Sequence, residues 1–323
     1  MVRLQDAGAV QSHGTSAPGG VHKRRGTGGR LSRLDMRLSP YAYIAPFFIL
    51  FALFGLYPVA MTGWMSLHDW DIIGDKTFVG MENYTALLKD EYFWNAVSNT
   101  FFIFLIATVP QMMLALVLAE VLNRGFRART FFRMAIFVPN VTSLAAVAIV
   151  FGVFFRRDFG VVNWLLGFVG VDPISWTQEK WSSWIALATM IDWRWTGYNA
   201  LIFLAAMQAI PRDLYESAAL DGANRWRQFV SITLPSLRPT LFFVIIISTI
   251  GGWQLFTEPF IFNNGNILGG TQRQFQTVAM YMYERGFNDL RFGYGSAIAF
   301  ALFAIIVIAS MINFALIRRS VKS

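Results

Sequence analysis

Six apolar stretches govern what this chain can fold into: residues 41–64, 96–122, 134–155, 184–208, 241–257 and 294–317. At about 1.5 Å of helix rise per residue, each can cross a hydrocarbon core of about 30 Å, with 241–257 at the short end. In lipid such segments must be helical, because an unclosed strand leaves its backbone groups unpaired. The expected fold class is therefore an all-α integral membrane protein with six transmembrane helices. Composition agrees: 55% of residues are hydrophobic and 14% charged, against roughly 45–50% and about 25% in soluble domains. The chain has no Cys, which excludes disulfides, thiol catalysis and Cys-based metal sites, and its three His, at 13, 22 and 68, are too scattered for a zinc site.

The charges between the apolar runs predict topology. Residues 1–40 combine Gly and Ser with seven Lys and Arg, and read as a disordered basic tail. Their basic region is too long for a signal peptide, and the apolar run that follows is also too long. Of 27 Lys and Arg, eighteen lie in this tail, in links 123–133 and 209–238, or at the C-terminus; eight lie in the opposite links and Arg194 sits within a span. The positive-inside rule then puts both termini in the cytoplasm. The organisation expected is a tail to residue 40, a permease-like membrane domain over 41–317 and a short cytoplasmic end over 318–323. Because the +8 net charge is distributed between membrane runs, it argues for topology and a lipid bilayer rather than nucleic acid.

The inner link over residues 210–235 carries the most specific signal. Pro211 suits a first helical turn, Asp213 complements its dipole, and Gly222 suits a left-handed stop. Asn224 can cap a second short helix presenting Trp226, Phe229 and Val230, expected to break at Pro235. Two short helices joined at Gly222 make a knuckle under the membrane. The spacing Glu216-Ser217-Ala218, three residues, Gly222, nine residues, Ile232-x-Leu234-Pro235 resembles the permease signature of ATP-binding cassette importers, with Ser217 in place of an Ala.

Over residues 40–318 the chain resembles the maltose-type sugar permeases of type I importers, which have the MetI-like fold. The resemblance implies that the knuckle is a coupling helix docking on a separate ATPase dimer through Glu216, Ser217, Ala218, Asp221 and Gly222. It also implies a second, distinct permease subunit and an extracytoplasmic sugar-binding protein. No Gly-Lys dipeptide is present, hence no Walker A loop, so ATP and Mg are expected on the partner and no cofactor or catalytic residue in this chain.

Polar groups inside spans mark where a solute could sit, since a charge at the bilayer centre costs about 2.5–3.5 kcal/mol on insertion scales. The fourth span offers Asp192, Arg194, Trp195, Thr196, Tyr198 and Asn199, with Asp192, Trp195, Thr196 and Asn199 expected on one face. The fifth adds Gly251, Gly252, Trp253, Gln254, Thr257 and Glu258. Aromatic faces beside hydrogen-bonding groups suit a sugar, and in the resembling family the sugar contacts come from these two spans. Asp192 and Arg194 also fit a structural ion pair, and Trp253 an interfacial belt. Asn140, Thr142 and Ser143 follow Pro139 and fit backbone repair around a kink. The segments near Phe275, Tyr281 and Phe292 resemble a subgroup moving disaccharides such as cellobiose or lactose. The rival reading is an ion-coupled secondary transporter, which would also place polar groups at midplane.

Overall fold

The computed structural model describes residues 31–71, 76–124 and 128–322, with side chains within 39–316. Most of the expected tail lies outside the described residues, and the chain is helical from Leu31. The described residues divide into two compact units between Pro58 and Val59. The first contains α1 (Leu31–Phe51) and a π turn, Ala52–Leu56, at which α2 (Tyr57–Ser66) starts. Proline's ring clashes with the carbonyl four residues back. The widened turn, in which the Tyr57 amide bonds to the Ala52 carbonyl, makes room for Pro58.

In the second unit, β1 (His68–Asp69) pairs antiparallel with β2 (Thr77–Phe78), His68 opposite Phe78. Helices α3 (Glu82–Lys89) and α4 (Glu91–Asn123) follow, then α5 (Arg129–Val141), α6 (Leu144–Phe154), α7 (Val161–Gly167) and α8 (Lys180–Gln208). Next come α9 (Arg212–Leu220), α10 (Arg225–Gln228), a second π turn, Phe229–Thr233, α11 (Leu234–Ser236) and α12 (Arg238–Trp253). The chain ends with α13 (Thr257–Phe262), α14 (Val278–Tyr283), a third π turn and α15 (Phe292–Lys322).

Among the described residues, three helices are long and apolar enough to cross a membrane: 39–66, 91–123 and 292–316. Two bent pairs raise the number to five if each counts as one span. Two of the six expected spans are therefore broken helices. The stretch at 134–155 turns by 91° between α5 and α6, at Thr142 and Ser143 rather than at Pro139 itself. There the Thr142 hydroxyl donates to the Val138 carbonyl at 2.8 Å, which the Thr142 amide also reaches at 3.1 Å, so it adds a second bond to the last turn rather than repairing a group freed by Pro139. The second bend, 65°, falls before Arg238. Pro235 does not end its helix: the π turn before it, with the Leu234 amide bonded to the Phe229 carbonyl, accommodates the ring as at Pro58. At the other end, α12 stops at Trp253, four residues short of expectation.

The remaining stretch, 184–208, lies in α8, 29 residues and about 43 Å long. Its polar and aromatic middle keeps it out of the apolar set. It is nevertheless the central helix, buried at positions from Ser182 to Met207. Toward one end, Ala115, Ala119 and Leu122 of α4 pack on Ala200, Phe203, Leu204 and Met207 of α8 and Val244 of α12. Toward the other, Ile103, Trp184, Leu187 and Met190 meet Val147, Phe151 and Phe275. A third cluster joins Phe93, Trp253, Tyr281, Tyr294 and Ile298. Lipid tails are as apolar as Leu, so close packing holds such helices together. Gly197 shows how close: a Cβ there would lie 1.7 Å from the Ile136 carbonyl oxygen of α5.

Candidate functional site: a polar cavity and an exposed knuckle

Between α4, α8 and α12 lies a cavity of about 340 Å3. α4 contributes Phe104, Thr108 and Gln111; α8 contributes Ile191, Trp195, Tyr198 and Asn199; α12 contributes Ser248 and Gly251. Gln254, Phe256, Thr257 and Glu258 continue the wall where α12 gives way to α13. Gln111 and Asn199 are 3% and 4% exposed. Neither side-chain amide has a hydrogen-bond partner among the described residues, and neither is among the fully enclosed polar atoms. Both therefore open into the cavity, where they are free to bond to whatever fills it. Aromatic rings from Phe104, Trp195, Tyr198 and Phe256 stand around them.

Of the residues expected in a solute path, Trp195, Tyr198, Asn199 and Gln254 are together on this wall. The α8 face is 191, 195, 198 and 199, so Asp192 and Thr196 fall off its edge. Asp192 Oδ1 and Thr196 Oγ are buried with no partner among the described residues. Arg194 lies just behind the wall, its Nη1 3.6 Å from Oε1 of Glu258, and its guanidinium 5.4 Å from the Trp195 ring centre. Its ion-pair partner is therefore Glu258 and not Asp192. Trp253 is 5% exposed and packs in the third cluster, 6.5 Å from the Phe101 ring, away from the cavity. Gly252 sits against the Phe104 ring, which a Cβ would meet at 2.4 Å, and so brings α12 up to α4.

A polar rim gathers at the N-terminal end of α4. The loop before α14 is fastened to α4 by Asn95 and Asn99, whose amides donate to the Arg273 carbonyl at 2.8 Å, and by the Thr100 hydroxyl, which accepts from the Val278 amide at 3.0 Å. Trp184 of α8 donates to the Gln274 carbonyl at 3.0 Å. Arg273 pairs with Glu284, Nη2 to Oε1 at 2.7 Å, and Gln276 donates to the same carboxylate at 2.7 Å. Asp90 caps α4 and accepts from the hydroxyls of Tyr281 and, at 2.7 Å, Tyr294. Burial alone would raise both carboxyls, but the tyrosine and backbone donors hold Asp90 below its usual value, and Arg273 and Gln276 do the same for Glu284. Burial, with the hydrogen bond to Asp90, pushes the Tyr281 hydroxyl up to about 12.

The knuckle has the expected local geometry. Asp221 caps α9, Gly222 takes φ +78°, and the Gly222 and Ala223 amides bond to the Ala219 and Ala218 carbonyls at 3.0 and 2.9 Å. That pair of bonds is a Schellman stop, which requires the left-handed conformation that glycine adopts without strain. Asn224 then caps α10 by accepting from the Arg227 amide at 2.9 Å, and the Tyr215 hydroxyl meets Thr233 Oγ1 at 2.8 Å across the turn. Glu216, Ser217, Asp221 and Gly222 are exposed, Ala218 is half-buried, and Leu220 and Trp226 are 90% and 73% exposed.

Residues 111–322 match the family of binding-protein-dependent transport system inner membrane components. The chain belongs to that family. Its relatives include the arabinooligosaccharides transport system permease protein AraP of Halalkalibacterium halodurans, 34% identical over 279 residues, 86% of this chain and 87% of the relative. The lactose transport system permease protein LacF of Rhizobium radiobacter is 35% identical over 278 residues, 85% of this chain and 92% of the relative. In fold the chain is similar to a solved bacterial ABC transporter involved in the import of the acidic polysaccharide alginate. The TM-score is 0.74 at 23% identity, covering 90% of this chain and 99% of that one. A second structure of such a transporter, in complex with its alginate pentasaccharide-bound periplasmic protein, matches with a TM-score of 0.75. The inner membrane component described here is accordingly a transport protein, not an enzyme, with the helical permease fold. Its α15 exposes Phe303, Val307, Ile308, Met311, Ile312, Phe314 and Leu316. So broad an apolar face is rare on a soluble monomer and is at home in lipid.

Gln111 was not legible as a site residue, although an uncharged amide inside an otherwise apolar span was the signal that could have found it.

Proposed function

We propose that this chain is one of two permease subunits of an ATP-driven carbohydrate importer and forms half of the passage for a disaccharide-sized sugar. The observation that carries the reading is the cavity beside α8, in which the buried, unpartnered amides of Gln111 and Asn199 face aromatic rings. Sugar hydroxyls satisfy such amides while C–H faces stack on Phe104, Trp195, Tyr198 and Phe256. Each hydrogen bond contributes about 0.5–1.5 kcal/mol net, weak enough for the solute to leave. The volume of about 340 Å3 is within the roughly 300–1,000 Å3 of small-molecule sites. The permeases for lactose and arabinooligosaccharides among the relatives support the solute class.

In this reading α8 is the fourth of six spans, tolerating Asp192 and Arg194 because it is enclosed by other helices, and both termini are cytoplasmic. The knuckle of α9 and α10 docks on an ATPase dimer that holds ATP and Mg. Glu216 offers charge-assisted hydrogen bonds, Ser217 and Ala218 allow close approach, and Asp221 and Gly222 make the stop. An extracytoplasmic sugar-binding protein delivers solute to the outer end. Reconstituted with these partners, the complex should import disaccharide only with ATP and be indifferent to a proton ionophore. Uptake that survives ATP depletion and collapses with the ionophore would refute it.

A further inference from the structure

Glu258 is the only charged side chain on the cavity wall, among the described residues. It is 7% exposed. Its counter-cation, Arg194, does not line the cavity, so a solute meets the carboxylate first and the guanidinium through it. The two charges are 3.6 Å apart, with the carboxylate on the cavity side, so the cavity meets the negative end of the pair. The other polar residues of the wall, Thr108, Gln111, Tyr198, Asn199, Ser248, Gln254 and Thr257, are neutral hydrogen-bonding groups that do not distinguish charge. The nearer charge of a pair dominates the field at a group beside it, and more so where the surroundings are less polarisable than water.

We propose that Glu258 makes this cavity selective for uncharged saccharides over anionic ones, such as uronates and sugar phosphates, a reading that rests on the cavity being the solute passage. A carboxylate hydrogen-bonds to the hydroxyls of a neutral sugar as an acceptor. Toward an anionic sugar it is a repulsive neighbour with no cation in front of it.

The test uses the complete detergent-purified transporter without its binding protein, so that selectivity upstream is absent. Equilibrium binding of radiolabelled cellobiose and of its C6-carboxylate counterpart is measured. The natural chain should favour cellobiose by about tenfold or more, as expected for one partly screened charge a few ångströms away. Glu258→Gln should abolish or reverse the preference, because it removes the carboxylate and leaves the Arg194 guanidinium unpaired behind the wall. Thr257→Lys, which leaves the Arg194 pair intact and sets an ammonium beside Glu258, should shift the ratio the same way if the first variant fails to assemble. An unchanged ratio in both variants, with cellobiose still bound and weakened by Asn199→Ala, overturns the filter alone. Absence of cellobiose binding, or indifference to Asn199→Ala, overturns the passage and the filter together.

Discussion

Replacing Gly197 with Ala tests the contact on which the bundle is centred. The new methyl would sit 1.7 Å from the Ile136 carbonyl oxygen and 2.6 Å from its carbon, whereas an ordinary C···O contact is about 3.3 Å. The obstacle is backbone, so α5 and α8 must part by about 1.6 Å, the shortfall against that contact distance. Overpacking of this kind costs about 1–3 kcal/mol, offset by about 0.5–1 kcal/mol because Gly is a poor helix residue. Because the obstacle is backbone, the upper part of that range applies, and a net loss of about 2 kcal/mol lowers the melting temperature by about 4–8 °C for a large domain. The control is Gly152→Ala in α6, where the added Cβ meets nothing within 4 Å and only the helix gain remains. Thermal unfolding of both variants in detergent, followed by loss of the monodisperse peak, gives the comparison. Should Gly197→Ala melt at or above the natural chain, the close approach of α5 and α8 is wrong.

Trp253→Ala should destabilise by about 3–5 kcal/mol, because the indole is buried away from the cavity, and uptake per assembled complex should fall equally for two different disaccharides; a change in preference would return Trp253 to the solute path. Gly222→Val should uncouple ATP hydrolysis from uptake while the protein still inserts, because a β-branched residue is strained at φ +78° by about 1–2 kcal/mol; full-rate transport with the ATPase bound would count against the knuckle. Asp90 and Glu284 have folded values below their unfolded ones, so their contribution to the rim is complete above the unfolded values near 4. It is lost as pH falls through the lower folded values. Tryptophan fluorescence in an acid titration should report the rim opening below about pH 4, and Arg273→Ala should move that opening to higher pH.

Local chemistry was readable from the chain and long-range geometry was not. Pro211, Asp213, Gly222 and Asn224 act on their own neighbours, so the knuckle could be drawn residue by residue. Helical spacing placed Trp195 and Asn199 together but could not say which edge of α8 meets the cavity, and Asp192 was set on the wrong side of that edge. Trp253 follows two glycines that do approach another helix, yet its own orientation is decided by Phe101 and by residues of α15. The rim depends on pairs such as Asn99 with Arg273 and Asp90 with Tyr294, which no periodicity connects. The two bends arise where a hydroxyl joins the regular ladder or a widened turn takes over from it, a choice the hydropathy of a segment does not register.

The loop that fastens Asn95, Asn99 and Thr100 is synthesised more than 170 residues after them. Until that loop arrives, the Asn95 and Asn99 N–H groups of α4 lack the carbonyl they hold in the finished fold, while the Thr100 hydroxyl already bonds to the Ala96 carbonyl. The second span therefore waits on the loop that follows the fifth. A chain cut short before Arg273 keeps its early helices but lacks the clasp on the first turns of α4. Such a product is marked as incomplete by two loose amides at that end of the helix.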